Sequence, residues 1–193
     1  MKRTLLRQVW LLLLLLTAAA CRQSPGGQEG SVAVVNPVDN NAQPTVVYLV
    51  RHAEKDISNP SEQDPDLTPG GLARAEALRD LLEEQEIAAL YTTKYKRNRS
   101  TLQPLAEAEG LQMKVYEAHS FNSLKDTILK DHAGQTVVVV GHSNTVLPII
   151  EEFGAKRPVP DISETQYDYL FKVTVLPDGT ATVVTVNYGV ASR

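Results

Sequence analysis

VVYLVRHAEK, residues 46–55, decides how the rest of this 193-residue chain is read. Its first five residues are apolar without a break, the pattern of a strand buried on both faces in a parallel sheet covered by helices. Its last five include Arg51, His52, Glu54 and Lys55. A central strand that ends in an arginine and a histidine delivers charge to one edge of a buried sheet, and folding alone gives no reason for that.

Outward from this strand, assigned to 45–51, the chain alternates. Thr68 as a helix cap and Pro69 at the first helical position, followed by Leu72, Ala75, Leu78 and Leu82 at helical spacing, predict a helix over 69–86. AALYT (88–92) reads as a short strand, 97–109 as a helix despite Pro104, 111–117 as a strand and 122–132 as a helix. TVVVVG (136–141) is a second fully apolar strand, and 144–153 is a helix with Ile149, Ile150 and Phe153 inward. Pro177-Asp178-Gly179 between two alternating runs reads as a β-hairpin. The expected fold class is α/β: three layers, α/β/α, around a mostly parallel central sheet, with the C-terminal hairpin at the sheet edge.

Ligands bind outside the carboxyl ends of the strands in such sheets. The first strand brings Arg51 and His52 to that edge. The TVVVV strand brings Gly141, His142, Ser143 and Asn144, and AALYT brings Thr92 and Thr93 ahead of Lys94, Lys96, Arg97 and Arg99. Two histidines and several cations on one rim suit an anion with tetrahedral oxygens. Arginine holds such oxygens through two parallel bonds, and imidazole can attack phosphorus.

These residues resemble a known family. Arg51-His52-Ala53 resembles the Arg-His-Gly signature of the histidine phosphatase superfamily (phosphoglycerate mutase-like), with Ala in place of Gly. Leu67-Thr68-Pro69-Gly70-Gly71 with Ala73-Arg74-Ala75 is similar to its helix start, Thr92-Thr93 with Arg97 and Thr101 to its central segment, and Gly141-His142-Ser143-Asn144 to its second histidine motif. The resemblance implies that fold and a metal-independent phosphatase with no cofactor. His52 would carry a phosphoryl group, and Arg51, Arg97 and His142 would hold its oxygens. Ser143 and Asn144 would border the substrate, a small phosphorylated molecule. A proton donor for the leaving group is also implied. Glu117, just after a strand, is the first candidate, and Glu54 is the second or else a substrate contact. Residues 58–65 and 118–125 are expected to rim the pocket. His119 and His132 read as surface residues, since neither has metal-ligand spacing.

Other readings remain. GHSNT looks like a G-x-S-x-G elbow with Ser143 as nucleophile, but Thr145 stands in place of the second Gly and no histidine follows His142. A non-catalytic envelope protein binding a phosphorylated ligand, and a mutase-like phosphotransferase, both use the same residues. Turnover of an aryl phosphate would separate an enzyme from a binder.

The amino-terminal residues 1–20 carry Lys2, Arg3 and Arg7, then LLLLLLTAAA, the pattern of an export signal. Cys21, the sole cysteine, follows an Ala run that resembles a bacterial lipoprotein lipobox, with Ala18 where Leu is usual. The resemblance implies cleavage before Cys21, lipid attachment there and a membrane-anchored protein of the cell envelope. Ordinary cleavage to a soluble periplasmic form, or an uncleaved anchor, are the alternatives. Residues 21–44, rich in Gly, Pro, Gln, Asn and Ser, read as a flexible tether, and 45–190 as the histidine phosphatase domain. Without residues 1–20 the chain has 16 Lys and Arg against 23 Asp and Glu, a formal charge of −7. A nucleic-acid partner has no electrostatic support in that balance. Nothing in the sequence sets the oligomeric state.

Overall fold

A computed structural model of the protein describes residues 42–192. The expected leader, Cys21 and most of the tether lie outside the described residues. The elements run β1 Thr45–Arg51, α1 Pro69–Leu82, β2 Ile87–Thr92, α2 Lys96–Glu109, β3 Met113–Val115, α3 Phe121–Asp131, β4 Thr136–Gly141, α4 Val146–Glu152, β5 Tyr169–Val175 and β6 Ala181–Asn187. The strands form one sheet in the order β3-β2-β4-β1-β5-β6. β1, β2, β3 and β4 are mutually parallel where they pair, while β5 runs antiparallel to β1 and closes the hairpin with β6. This is the mostly parallel sheet with an antiparallel edge hairpin that the sequence pattern implies.

The unbroken apolar strands are explained by layers on both faces. Strand side chains alternate in direction. Val47 and Leu49 of β1, with Val137 and Val139 of β4, pack with Leu124 and Ile128 of α3 and Ile149 and Ile150 of α4. Tyr48 and Val50, with Val138 and Val140, pack with Leu78 and Leu82 of α1 and Leu102 and Leu105 of α2. Neither β1 nor β4 has a face to give to water, so the polar residues of VVYLVRHAEK are confined to the strand's exit.

The pattern misplaces some boundaries. α1 ends at Leu82 rather than residue 86, and Glu83, Glu84, Gln85 and Glu86 form the turn into β2. Leu72, expected on its inner face, is exposed, and the buried stripe is Gly71, Ala75, Leu78 and Leu82. A Cβ at Gly71 would collide with the carbonyl oxygen of Glu54, so glycine lets α1 approach the chain leaving β1. The Thr68 backbone N–H donates to that same oxygen (2.9 Å), and Thr68 Oγ1 caps the helix by accepting from the Gly71 N–H (3.0 Å). Leu67-Thr68-Pro69-Gly70-Gly71 thus ties α1 to the residues just past the histidine. β3 is shorter than 111–117, because only Met113–Val115 pair with β2.

Candidate active site

β1 and β4 pair in register to their last residues, Arg51 against Gly141. The next residue of each is a histidine, so His52 and His142 emerge side by side, their rings 5.5 Å apart and edge to face. They open into a cleft of about 730 Å³ that Arg51, Arg97, Glu117, Ser143 and Asn144 also line. The structure therefore brings every residue expected at the site to one rim except Glu54.

The exit of β1 is held by side chains of α2. Thr101 Oγ1 accepts from the buried Ala53 N–H (2.9 Å) and donates to the Arg97 carbonyl (2.7 Å). Asn98 is fully buried and its Nδ2 donates to the carbonyls of Val140 (3.2 Å) and Gly141 (3.1 Å), fixing the end of β4. One helix turn thus positions both histidine-bearing strand ends. Asn98 was not singled out from sequence. Its signal was there: it sits on the stripe 98, 101, 102, 105 that α2 buries, and a polar group on a buried stripe needs partners.

His52 is buried, and its Nδ1 lies 2.8 Å from the Ala53 carbonyl oxygen. A carbonyl can only accept, so Nδ1 carries the proton and Nε2 keeps its lone pair. Burial, reinforced by Arg51, Arg97 and His142, pushes its pKa down to about 3. His52 is therefore neutral at physiological pH, the form that can attack. His142 is lowered to about 4, again by burial first and then by Arg97 and its other cationic neighbours. Its Nε2 lies 3.3 Å from Thr93 Oγ1, and Tyr95 meets its ring edge to face at 5.4 Å. A neutral His142 would hold an oxyanion by a hydrogen bond, leaving the charge to the arginines. Gly141 is needed before it because a Cβ there would press on Thr145 Oγ1, which accepts from the His142 N–H (2.8 Å). Thr145, which breaks the hydrolase-like elbow, is thus the clamp of this loop.

The two arginines are held differently. Arg51 is buried under the loop after α4. Its Nη1 donates to the carbonyls of Ser163 (2.7 Å) and Gln166 (3.1 Å), and Tyr167 lies over the guanidinium at 4.1 Å. Its Nη2 meets Glu164 Oε2 at 3.1 Å, while Glu164 Oε1 accepts from the Ser143 hydroxyl at 3.0 Å. The Ser143 bond, with Arg51 and Lys55 nearby, lowers the Glu164 pKa. Arg97 lies over Tyr95 at 4.4 Å and reaches Asp64 at 3.6 Å. The Nε groups of both arginines are buried without a hydrogen-bond acceptor among the described residues. The cleft lining sets Arg51, Lys55, Lys94 and Arg97 against two carboxylates, Glu117 and Glu164, a balance that suits an anion. Glu164, Tyr95 and Tyr167 escaped the sequence reading; the aromatics flank arginines only in space, and nothing local marks Glu164.

Three expectations need correction. Glu54 does not line the cleft. Its carboxylate is forked by the buried Arg74 of α1, at 3.0 Å from Nε to both oxygens and 2.7 Å from Nη2, because a buried guanidinium requires a counter-charge. Residues 58–65 do not line it either, touching the site only through Asp64, and of 118–125 only Ala118, His119 and Ser120 line it, since α3 begins at Phe121. His132 is buried, with Nδ1 bonded to Gln135 Oε1 (2.9 Å) and Nε2 to Lys114 Nζ (3.0 Å). Glu117 is exposed in the cleft wall. Among the described residues no group of three or more His, Cys, Asp or Glu side chains is arranged to hold a metal ion, and no helix is long and apolar enough to cross a membrane.

The sequence model of the histidine phosphatase superfamily (branch 1) matches residues 47–119. The domain has the histidine phosphatase, phosphoglycerate mutase-like fold. The protein histidine phosphatase SixA, solved with tungstate, superposes with a TM-score of 0.61 at 17% identity, over 74% of this chain and 96% of its own. YhfR of Bacillus stearothermophilus gives 0.59 at 18%, over 77% and 96%, and a phosphoglycerate mutase of Bacillus anthracis str. Sterne gives 0.54 at 14%, over 75% and 93%. No curated protein matches the chain in sequence. The superfamily match supports a phosphatase or phosphotransferase-like function.

Proposed function

We propose that the cleft is the active site of a phosphomonoester hydrolase that works through a phosphohistidine on His52. The observation that carries this reading is the bond from His52 Nδ1 to the Ala53 carbonyl, which leaves Nε2 unprotonated in a cleft lined by Arg51, Arg97 and His142. Nε2 attacks phosphorus, the N–P bond forms and the ester P–O bond breaks. Arg51, Arg97 and the His142 hydrogen bond stabilise the charge spread over the transferring oxygens. Glu117, as the carboxylic acid, gives its proton to the departing oxygen and as carboxylate then takes one from the attacking water. That water displaces His52 and releases inorganic phosphate. Exposure of Glu117, His119 and Asn144 in the cleft wall favours transfer to water over retention of the phosphoryl group for a mutase.

His52→Ala should abolish turnover of a small phosphomonoester while leaving the fold intact, and brief exposure to labelled substrate should leave acid-labile, base-stable label on the wild type alone. Wild-type turnover by the variant would end this reading. The leader adds a location to the proposal: acylation of Cys21 would hold the enzyme at a membrane in the cell envelope. Labelled palmitate incorporated equally by wild type and Cys21→Ser would refute the anchor.

A further inference from the structure

A second cavity, about 950 Å³ against the cleft's 730 Å³, opens next to the cleft. One wall is α1, with Gly70, Ala73 and Ala77 turned to it. The others are the loop carrying Ile57, the segment from Glu164 to Tyr167, and the chain after β6 with Val190 and Ala191. Ile57 and Val190 are 74% and 79% exposed, two large aliphatic side chains left in water at the groove's margins.

The groove's charged residues are largely spent. Arg74 is neutralised by Glu54 and also donates to the carbonyls of Tyr188 and Val190, both at 2.7 Å. It has no reason to bind a further anion, so away from Lys55 and Glu164 at the cleft end, what the groove offers a ligand is mainly apolar surface. The groove is also continuous with the cleft. Lys55 and Glu164 line both. Tyr167 lines the groove while its ring lies over Arg51 and 6.2 Å from the His52 ring.

We propose that this groove is the subsite for the leaving group of the substrate, and that the substrate is a phosphomonoester whose alcohol carries an extended apolar group rather than a sugar or a nucleoside. The inference rests on the phosphatase reading of the cleft. The phosphoryl group sits between Arg51 and His52, and the alcohol passes over the Tyr167 ring into the trough between α1 and Val190. Sugar hydroxyls would lose water along the α1 and Val190 walls and find few partners there, whereas each methylene gains burial.

The test separates the two readings. Acetyl phosphate, too small to enter the groove and with a good leaving group, reports the phosphatase chemistry. Ethyl, butyl, hexyl and octyl phosphate, whose leaving groups differ little in basicity, report the groove. Binding to the full-length His52→Ala chain, free of detergent, is measured calorimetrically so that turnover plays no part. Affinity should rise about two- to fourfold per added methylene until the groove is full. Ala73→Trp and Ile57→Asp, both at exposed positions, should flatten the series in the His52→Ala chain, while chains that retain His52 and bear them keep acetyl phosphate turnover. Comparison of octyl with 2-naphthyl phosphate tells a flexible chain from an aromatic occupant. Failure on acetyl phosphate alone overturns the phosphatase reading. A flat alkyl series, or a slope that both groove variants leave unchanged, overturns this inference, as does a concentration-dependent dimer that those variants abolish.

Discussion

Lowering the pH from 7 to 5 tests whether His52 is held neutral as the proposed mechanism needs. His52 titrates at about 3 in the folded chain, against about 6.5 for a histidine in an unfolded one. The unfolded state therefore takes the proton first. Stability from burying the neutral ring is fully present above about pH 6.5 and is lost as the pH falls toward 3. The loss is about 1.4 kcal/mol per pH unit, hence about 2 kcal/mol from His52 between pH 6.5 and 5. His142, lowered to about 4, acts in the same direction. His52→Asn removes the titration while keeping a side-chain N–H near the Ala53 carbonyl. Urea denaturation of both chains at pH 7 and pH 5 gives a double difference in which the other groups cancel. The variant should be less acid-sensitive than the wild type by about 2 kcal/mol. Equal acid sensitivity would refute the burial argument, and so would NMR titration of the His52 ring near 6.5.

Three further outcomes follow from the site. Glu164 occupies the Arg51 and Ser143 groups that an oxyanion would use, so Glu164→Gln should tighten inhibition by vanadate, up to about fivefold for so exposed a pair; weaker inhibition would make Glu164 a support for Arg51 instead. Thr101→Val strips the buried Ala53 N–H of its acceptor and should cost about 1–3 kcal/mol in a denaturant titration, with Thr101→Ser restoring it; an unchanged midpoint for the Val variant would remove Thr101 from the support of β1. Glu117→Gln should lose much of a factor on the order of 10²–10⁴ on an alkyl phosphate and little on nitrophenyl phosphate, whose leaving group scarcely needs a proton; equal losses would show a binding role.

Much of the fold was legible because β1 and β4 are apolar on both faces, and only a parallel sheet between helix layers explains such strands. Leu72 misled because helical spacing fits 72, 75, 78 and 82 about as well as the true stripe, and only the close approach of Gly71 to Glu54 decides between them. The histidines, Arg51 and Arg97 were legible because strand ends and a short helix start carry them. What could not be read was pairing across long separations. Arg51 and Glu164 are 113 residues apart, and Arg74 and the Val190 carbonyl 116. Glu54 was the one candidate missing from the cleft, since sequence proximity to His52 says nothing of an arginine 20 residues on.

The fate of the two buried arginines also separates scaffold from site. Arg74 has acceptors at Nε, Nη1 and Nη2, drawn from Glu54 and the carbonyls of Tyr188 and Val190. Its work is to tie α1 and the end of the chain to the β1 exit, and a ligand would have to break a satisfied network to use it. Arg51 is equally buried, yet its Nε has no acceptor among the described residues, and its Nη2 rests on a carboxylate that is 74% exposed. An exposed carboxylate is weakly held and can swing into water at little cost. The carbonyls of Ser163 and Gln166 keep the Arg51 fork in place while Glu164 leaves. That combination, a fixed cation under a removable anion beside a neutral histidine, is what a phosphoryl group needs on arrival, and Glu54 beside Arg74 cannot provide it.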